Sequence, residues 1–210
     1  MYTPKHFSAP SDQALHDLMR AYPFATLIIH SADGINAHHL PLYLDGNRTL
    51  SGHVARANPL WQEAANAQEV LVIFHGPNAY VSPSWYPTKA STGRVVPTWN
   101  YVVAHARGKL RVINDVHWLR SHLEALTAQH EAPFEQPWQL GDAPADFIDQ
   151  LMQAIVGIEI EIKQLTGKWK VSQNQPLENQ QGVMHGLKST ANTQASEMAG
   201  IVETINRLKT

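Results

Sequence analysis

Three prolines between Ala79 and Tyr101 make a helix unfavourable there and constrain the fold more than any other feature of the chain. Pro83, Pro87 and Pro97 each lack the backbone N–H that a helix interior needs. The same segment is rich in tryptophan, tyrosine and valine, which favour strands. We therefore predict strand ends and loops that bring rings, hydroxyls and an amide together. This chemistry suits a flat aromatic ligand with a polar edge, and rings that simply fill a β core fit the composition equally well.

The segment from Leu50 to Pro59 predicts an anion site at the start of a helix. A strand pattern is followed by Asn58, a favourable N-cap, and by Pro59 at the first helical position. A helix start offers unpaired N–H groups and the positive end of the helix dipole, and Arg56 beside it can add a charge-assisted contact. An ordinary capped helix next to a solvated arginine fits the same residues.

Short strand patterns separated by turn sequences predict one domain, a closed β-barrel of antiparallel strands with helices added at its margins. In Gly157–Lys163 a strict alternation places three isoleucines on one face of a strand, and Asp115 is the predicted N-cap of the helix that follows it. A C-terminal helix carries an apolar stripe from Met198 to Leu208, which needs a surface to cover. We predict strands at Phe24–His30, Ile35–Leu44, Thr49–Ala55, Val70–His75, Ala79–Ser82, Trp99–Ala106, Gly108–Ile113, Gly157–Lys163 and Lys168–Gln173, and further helices at Ser11–Tyr22, Pro59–Ala67, Asp115–Glu131 and Asp146–Ile155. The loop from Pro87 to Val96 is either a flap over a ligand or a plain exposed loop.

Composition narrows the classes of function. The formal charge of −2 over 210 residues provides no broad attraction to nucleic acid or to an anionic membrane. The chain has no cysteine and no apolar run long enough to span a bilayer, so we predict a cytoplasmic protein without membrane association. Adjacent His38 and His39 point to opposite sides of a strand, and no His-Glu-x-x-His motif occurs, so we predict no metal site.

Six motifs together resemble the PaiB family, whose members are FMN-binding negative transcriptional regulators. The similarity runs in the same order from Met1 to Leu187, and residues 188–210 form a helical arm outside it. The motifs lie at Met1–Phe7, His39–Leu42, Gly52–Pro59, Tyr80–Tyr86, Val96–Tyr101 and Gly167–Asn174. The resemblance implies a mainly β fold with added helices (α+β), the FMN-binding split β-barrel, with FMN as cofactor and a homodimer as the assembly.

The resemblance also implies which residues contact FMN. The segment Gly52–Pro59 is similar to the strand–helix junction that holds the flavin phosphate, so Arg56 and Asn58 become donors, with His53 and Ala55 beside them. The strand with His39, Leu40 and Pro41 is similar to the one whose backbone runs beside the flavin ring. The remaining candidates, which would close the pocket, are Ser82, Trp85, Thr98, Trp99, Asn100, Lys168 and Lys170.

The function implied by the resemblance is transcriptional repression, yet the sequence has no helix-turn-helix and no basic recognition helix. We therefore expect a regulator that acts through a partner or a metabolite rather than by direct DNA binding. The alternative is a flavin-dependent oxidoreductase, similar to flavin reductases or pyridoxamine-phosphate oxidases, because the cofactor itself carries redox chemistry. Haem binding is a further alternative within the wider fold. No residue is an evident general base.

Overall fold

Seven strands join in one sheet in the computed structural model, which describes residues 1–32, 34–63 and 69–207. Their order across the sheet is β2-β1-β5-β6-β7-β4-β3. The strands are β1 Phe24–Ser31, β2 Gly34–Pro41, β3 Tyr43–Asp45, β4 Thr49–Ala55, β5 Glu69–Val81, β6 Thr98–Ile113 and β7 Ile155–Lys170. The helices are α1 Asp12–Ala21, α2 Leu60–Glu63, α3 Thr88–Thr92, α4 Val116–Glu131, α5 Ala145–Gln153, α6 Leu177–Lys188 and α7 Thr193–Arg207.

The antiparallel pairing and the alternation predicted from the sequence are confirmed. In the β1–β2 hairpin Phe24 lies opposite Pro41, and in the β4–β7 pair Thr49 lies opposite Glu161. On β7 the isoleucines 158, 160 and 162 are buried, while the polar residues between and after them are more exposed. One face of this part of the sheet therefore packs into the core.

Three strands are longer than the sequence predicted. The predicted turn at residues 76–78 lies inside β5, the predicted break near residue 107 lies inside β6, and β7 runs without interruption from residue 155 to 170. Gly108 explains the second difference, because a Cβ there would lie 2.3 Å from the carbonyl oxygen of Glu161 on the neighbouring strand. This glycine permits a close strand approach rather than a turn.

Asp115 caps α4 as predicted. Its carboxylate accepts hydrogen bonds from the backbone N–H groups of His117 at 2.8 Å and Trp118 at 3.0 Å. The predicted helix Pro59–Ala67 is observed as α2 up to Glu63, and the rest of that prediction lies outside the described residues. Helices α3 and α6 were not predicted; α3 is a single short turn that starts after Pro87 and ends at Gly93, whose φ is +62°.

The chain forms two compact units, each built from separate segments. The first unit contains residues 1–18, 75–104 and 166–210, and the second contains residues 19–74 and 105–165. The chain passes from one unit to the other within α1, β5, β6 and β7. Fully buried side chains in the first unit include Val81, Val183, Leu187, Met198 and Val202, and those in the second unit include Leu27, Leu50, Phe74, Leu110 and Ile158.

Part of the apolar stripe of the C-terminal helix is covered within the chain. Helix α7 packs against α6, and Met198 and Val202 of the stripe are buried, together with Ala195 and Ala199. Ile201 and Ile205 are half-buried, and Leu208 lies outside the described residues. In the described part of the chain, every helix is too short or too polar to cross a membrane.

Candidate functional site

A cavity of about 420 Å³ in the first unit is lined by cationic, amide and hydroxyl groups. Arg94 and Lys170 supply positive charge, and no carboxylate is among the lining residues. Thr98, Asn100 and Asn179 add neutral polar groups. The volume lies in the range of small-molecule sites, and the donor set suits a ligand that is anionic and rich in acceptors.

Lys170 is the half-buried cation of this cavity. It ends β7 beside the start of β6, where its Nζ donates to the carbonyl oxygen of Trp99 at 2.7 Å and to Thr98 Oγ1. Burial lowers the pKa of Lys170 from its ordinary value, and the nearby charge of Lys168 lowers it further. An anionic ligand would relieve both effects, because it favours the charged form of the amine.

Asn100 and Ser172 form a buried pair at the cavity wall. The amide Nδ2 of Asn100 lies 3.0 Å from Ser172 Oγ, and its Oδ1 lies 3.2 Å from the same hydroxyl. Asn100 is 1% exposed. Ser172 has a φ of +64°, a left-handed conformation that is uncommon for a residue other than glycine. Such conformations concentrate at functional sites, where the surrounding structure has to hold them in place.

Helix α6 completes the cavity, and sequence reasoning missed it. Asn179 Oδ1 accepts from Thr88 Oγ1 at 3.0 Å, so α6 holds the start of α3. The sequence signal was Pro176 just before the first helical residue, together with glycines at positions 182 and 186 on one helix face. A Cβ at Gly186 would lie 2.2 Å from Trp85 Cδ2, so the glycine makes room for the indole ring.

The other predicted residues of the first unit are engaged with protein groups. Trp85 packs on α6, and Ser82 Oγ accepts from the backbone N–H of Ser84 at 3.2 Å. Trp99 donates from its indole nitrogen to Asn78 Oδ1 at 3.1 Å. Lys168 Nζ donates to the carbonyl oxygen of Tyr2 at 3.2 Å. The structure therefore brings Thr98, Asn100 and Lys170 together at the cavity and gives these four residues protein contacts of their own.

In the second unit, Arg56 donates to two backbone carbonyl groups and to one side-chain amide. Its guanidinium donates to the carbonyl oxygens of Gln153 at 2.9 Å and Ile155 at 3.0 Å, and to Asn114 Oδ1 at 3.1 Å. Asn58 Oδ1 accepts from the backbone N–H of Leu60 at 2.9 Å, which is the predicted cap. These contacts give Arg56 and Asn58 a structural role, and their contact with a flavin phosphate stays a prediction.

Replacing Arg56 with alanine is expected to lower the free energy of unfolding by roughly 1–2 kcal/mol, because two carbonyl groups and an amide lose their donor. Urea denaturation measures this loss. Arg56→Lys is the comparison variant. It keeps the charge but cannot make the same set of hydrogen bonds, so it should also lose stability, which separates the hydrogen-bond geometry from the charge. A fully stable Arg56→Ala protein with weakened FMN binding would show instead that this side chain serves the ligand.

The strand that the resemblance places beside the flavin ring is β2, which carries His39, Leu40 and Pro41. His39 Nδ1 lies 3.2 Å from Thr26 Oγ1, Leu40 is buried, and Pro41 pairs with Phe24. These residues lie in the second unit with His53 and Ala55, which belong to β4. Their role toward FMN stays a prediction.

His53 has a partner that the sequence did not reveal. Its Nδ1 lies 3.2 Å from Nε2 of His122 on α4, and the His122 ring stacks on Trp118 with centroids 5.2 Å apart. Burial lowers the pKa of His53. Burial and the nearby His53 lower the pKa of His122 to about 4. Both shifts favour the neutral form of the rings.

Comparison with known proteins identifies the class of fold to which this chain belongs. Residues 1–164 match the family model described as "Putative FMN-binding domain". A solved FAD and haem binding protein from Mycobacterium smegmatis superposes with a TM-score of 0.60 at 18% identity, covering 78% of this chain and 73% of that one. A conserved hypothetical protein of Mycobacterium tuberculosis gives a TM-score of 0.61 at 10% identity, covering 84% and 94%. The fold is the split β-barrel of flavin-binding proteins.

Sequence relatives then define the family. The Bacillus subtilis protease synthase and sporulation protein PAI 2 is 29% identical over 206 residues, covering 97% of each chain. An uncharacterised protein of Emericella nidulans is 36% identical over 210 residues, covering 83% of this chain and 84% of that one. The chain belongs to the PaiB family of FMN-binding proteins. FMN is its cofactor.

The donor set of the first-unit cavity fits FMN. A phosphate needs cations and N–H or O–H donors without a competing carboxylate, and a flavin ring presents acceptors along its rim. Lys170, Arg94 and the neighbouring amides provide these groups. When bound, FMN supplies redox chemistry, and the protein contributes binding, orientation and electrostatics.

Proposed function

We propose that this chain is a flavin-responsive regulator that acts through a partner or a metabolite and does not recognise DNA by itself. The observation that carries the proposal is the pairing of exposed cations with carboxylates. Arg111 pairs with Glu159 at 2.5 Å and Arg120 pairs with Asp149 at 2.7 Å, while Lys163, Lys188 and Arg207 also contact glutamates. In each pair the carboxylate offsets the charge of the cation, so these cations add little net positive potential for a phosphate backbone.

The test is a DNA mobility shift with the FMN-loaded full-length protein. We expect no sequence-specific shift at nanomolar protein and near-physiological salt. Direct binding through several Lys or Arg contacts would weaken steeply as salt rises, so a shift with that salt dependence would overturn the proposal. No shift, together with reduction of the flavin by a nicotinamide donor, would instead favour the oxidoreductase.

FMN binding, in this proposal, centres on the first-unit cavity. Lys170 contributes a charged donor, and Thr98 and Asn100 hold polar groups beside it. The other residues proposed to contact FMN are His39, Leu40, Pro41, His53, Ala55, Arg56, Asn58, Ser82, Trp85, Trp99 and Lys168. Residues 1–187 are proposed as the flavin-binding domain, with residues 188–210 as an arm, and a cytoplasmic location accords with the absence of cysteine.

A homodimer is part of the same proposal. Tyr80 and Trp99 form an edge-to-face pair with centroids 6.1 Å apart, yet about half of each side chain is exposed, at 49% and 48%. Exposed aromatic pairs are typical of protein interfaces. We expect light scattering at micromolar concentration to give twice the mass of one chain, and Trp99→Glu to shift the protein toward monomer. A monomeric wild-type protein would contradict this expectation.

A further inference from the structure

The second unit contains a cavity of about 440 Å³ with a mostly apolar lining. Leu123 on α4, Ile148 and Met152 on α5, and Trp138 and Leu140 form much of its wall. No charged side chain is among the lining residues, and the polar side-chain atoms come from His53, Thr127 and the indole of Trp138. An ionised ligand would find no opposite charge here, so the cavity selects an uncharged, largely apolar molecule.

The hydrogen bond between His53 and His122 determines what His53 offers to this cavity. His122 is 5% exposed, and its Nδ1 is buried without a hydrogen-bond partner among the described residues. In a neutral histidine one nitrogen carries a proton and the other accepts. A buried N–H without a partner is rarer than a buried acceptor without one. On this ground we assign the unprotonated nitrogen of His122 to Nδ1, so that its Nε2–H donates to His53 Nδ1, 3.2 Å away.

This arrangement places the proton of His53 on Nε2. His53 lines the cavity and His122 does not, so the nitrogen left for a ligand is a donor. A metal ion is a poor alternative, because no group of three or more metal-ligating side chains occurs in the ranges that the structure describes.

We infer that this cavity binds a flat, uncharged aromatic carbonyl compound, distinct from FMN, whose oxygen accepts a hydrogen bond from His53 Nε2–H. His53 and Ala55 then serve this ligand instead of contacting FMN. The apolar walls cover the ring system, and Trp138 offers an aromatic face. The inference goes beyond the proposed function, because the phosphate of FMN would find no cation among the lining residues. The carbonyl oxygens of a flavin ring could accept the same hydrogen bond from His53. The experiment therefore has to distinguish a separate ligand from FMN itself.

Two probes of matched shape test the inference on the FMN-loaded full-length protein: 1-acetonaphthone, which has one carbonyl oxygen, and 1-ethylnaphthalene, which has none. We expect the ketone to bind about fivefold more tightly by calorimetry, the effect of one neutral hydrogen bond. Bound FMN, followed by its fluorescence, should stay in place. Equal binding of the two probes, or no binding, would overturn the inference. Displacement of FMN by the ketone would assign the cavity to the flavin ring instead.

Variants identify the donor. His53→Phe should remove the preference for the ketone, while His53→Gln, which keeps an N–H donor on an uncharged side chain, should retain part of it. His130→Phe, at an exposed position on α4, is the matched control and should bind both probes as the wild type does. An unchanged preference in a folded His53→Phe protein would show that another group contacts the carbonyl, which contradicts the inference.

Discussion

Replacing Lys170 with methionine is expected to weaken FMN binding about 10- to 100-fold. The variant keeps the length of the side chain but removes the half-buried cation of the first-unit cavity. A hydrogen bond to a charged group contributes roughly 1.5–3 kcal/mol, and the cavity lining contains no carboxylate whose loss of a partner would complicate the result. Quenching of FMN fluorescence on titration with the protein measures the dissociation constant.

The matched control is Lys188→Met. Lys188 is exposed on α6 in the same unit, pairs with Glu203 at 3.2 Å, and does not line the cavity. Its loss should leave FMN affinity unchanged, because an exposed ion pair contributes little. Lys170→Arg keeps the charge and should retain most of the affinity. If Lys170→Met bound FMN as tightly as the wild type while remaining folded, the cavity would not be the phosphate site.

His122 is expected to make the protein less stable at mildly acid pH. Its pKa is about 4 in the folded state and near 6.5 when the chain is unfolded, because burial and His53 oppose its charge. Protonation therefore favours the unfolded chain. The contribution is fully present above pH 6.5 and is lost progressively as the pH falls toward 4. Linkage gives a loss of about 2 kcal/mol between pH 7 and pH 5 from this group.

Urea unfolding at both pH values measures the loss, with an unchanged dependence on urea as the sign that the transition is comparable. His122→Phe keeps an aromatic ring against Trp118 and removes the titration, so its stability should fall less between pH 7 and pH 5. His117→Phe, on an exposed part of the same helix, should behave as the wild type does. An identical pH dependence in His122→Phe would refute the assignment.

Sequence patterns that span only a few residues predicted the helix caps and the inward-facing strand residues, because these features depend on neighbours along the chain. The cap at Asp115 and the buried isoleucines of β7 follow from a side chain that bonds its own backbone and from a period of two. The lengths of strands β5 and β6 could not be predicted from the sequence. A glycine such as Gly76 or Gly108 can indicate either a turn or the close approach of a neighbouring group. Only the neighbouring backbone distinguishes these two uses of glycine.

The candidate site was predictable only in part. The resemblance named Thr98, Asn100 and Lys170, which the structure brings together at the cavity, whereas α6, which also lines it, was missed. His122 was missed because it lies 69 positions from His53, and its own segment shows only a helix. The two protein contacts that hold Arg56 to residues 153 and 155 were missed for the same reason, since they depend on where α5 ends.

The division of the chain into segments has a consequence for the order of assembly during translation. The first unit needs residues 166–210 as well as two earlier segments, whereas the second unit is complete at residue 165. Lys170 and the α6 residues of the cavity belong to that last segment. A nascent chain can therefore bury the core of the second unit while the ribosome still holds the groups that would bind the phosphate. Capture of FMN at this cavity would then come after the core of the second unit has formed.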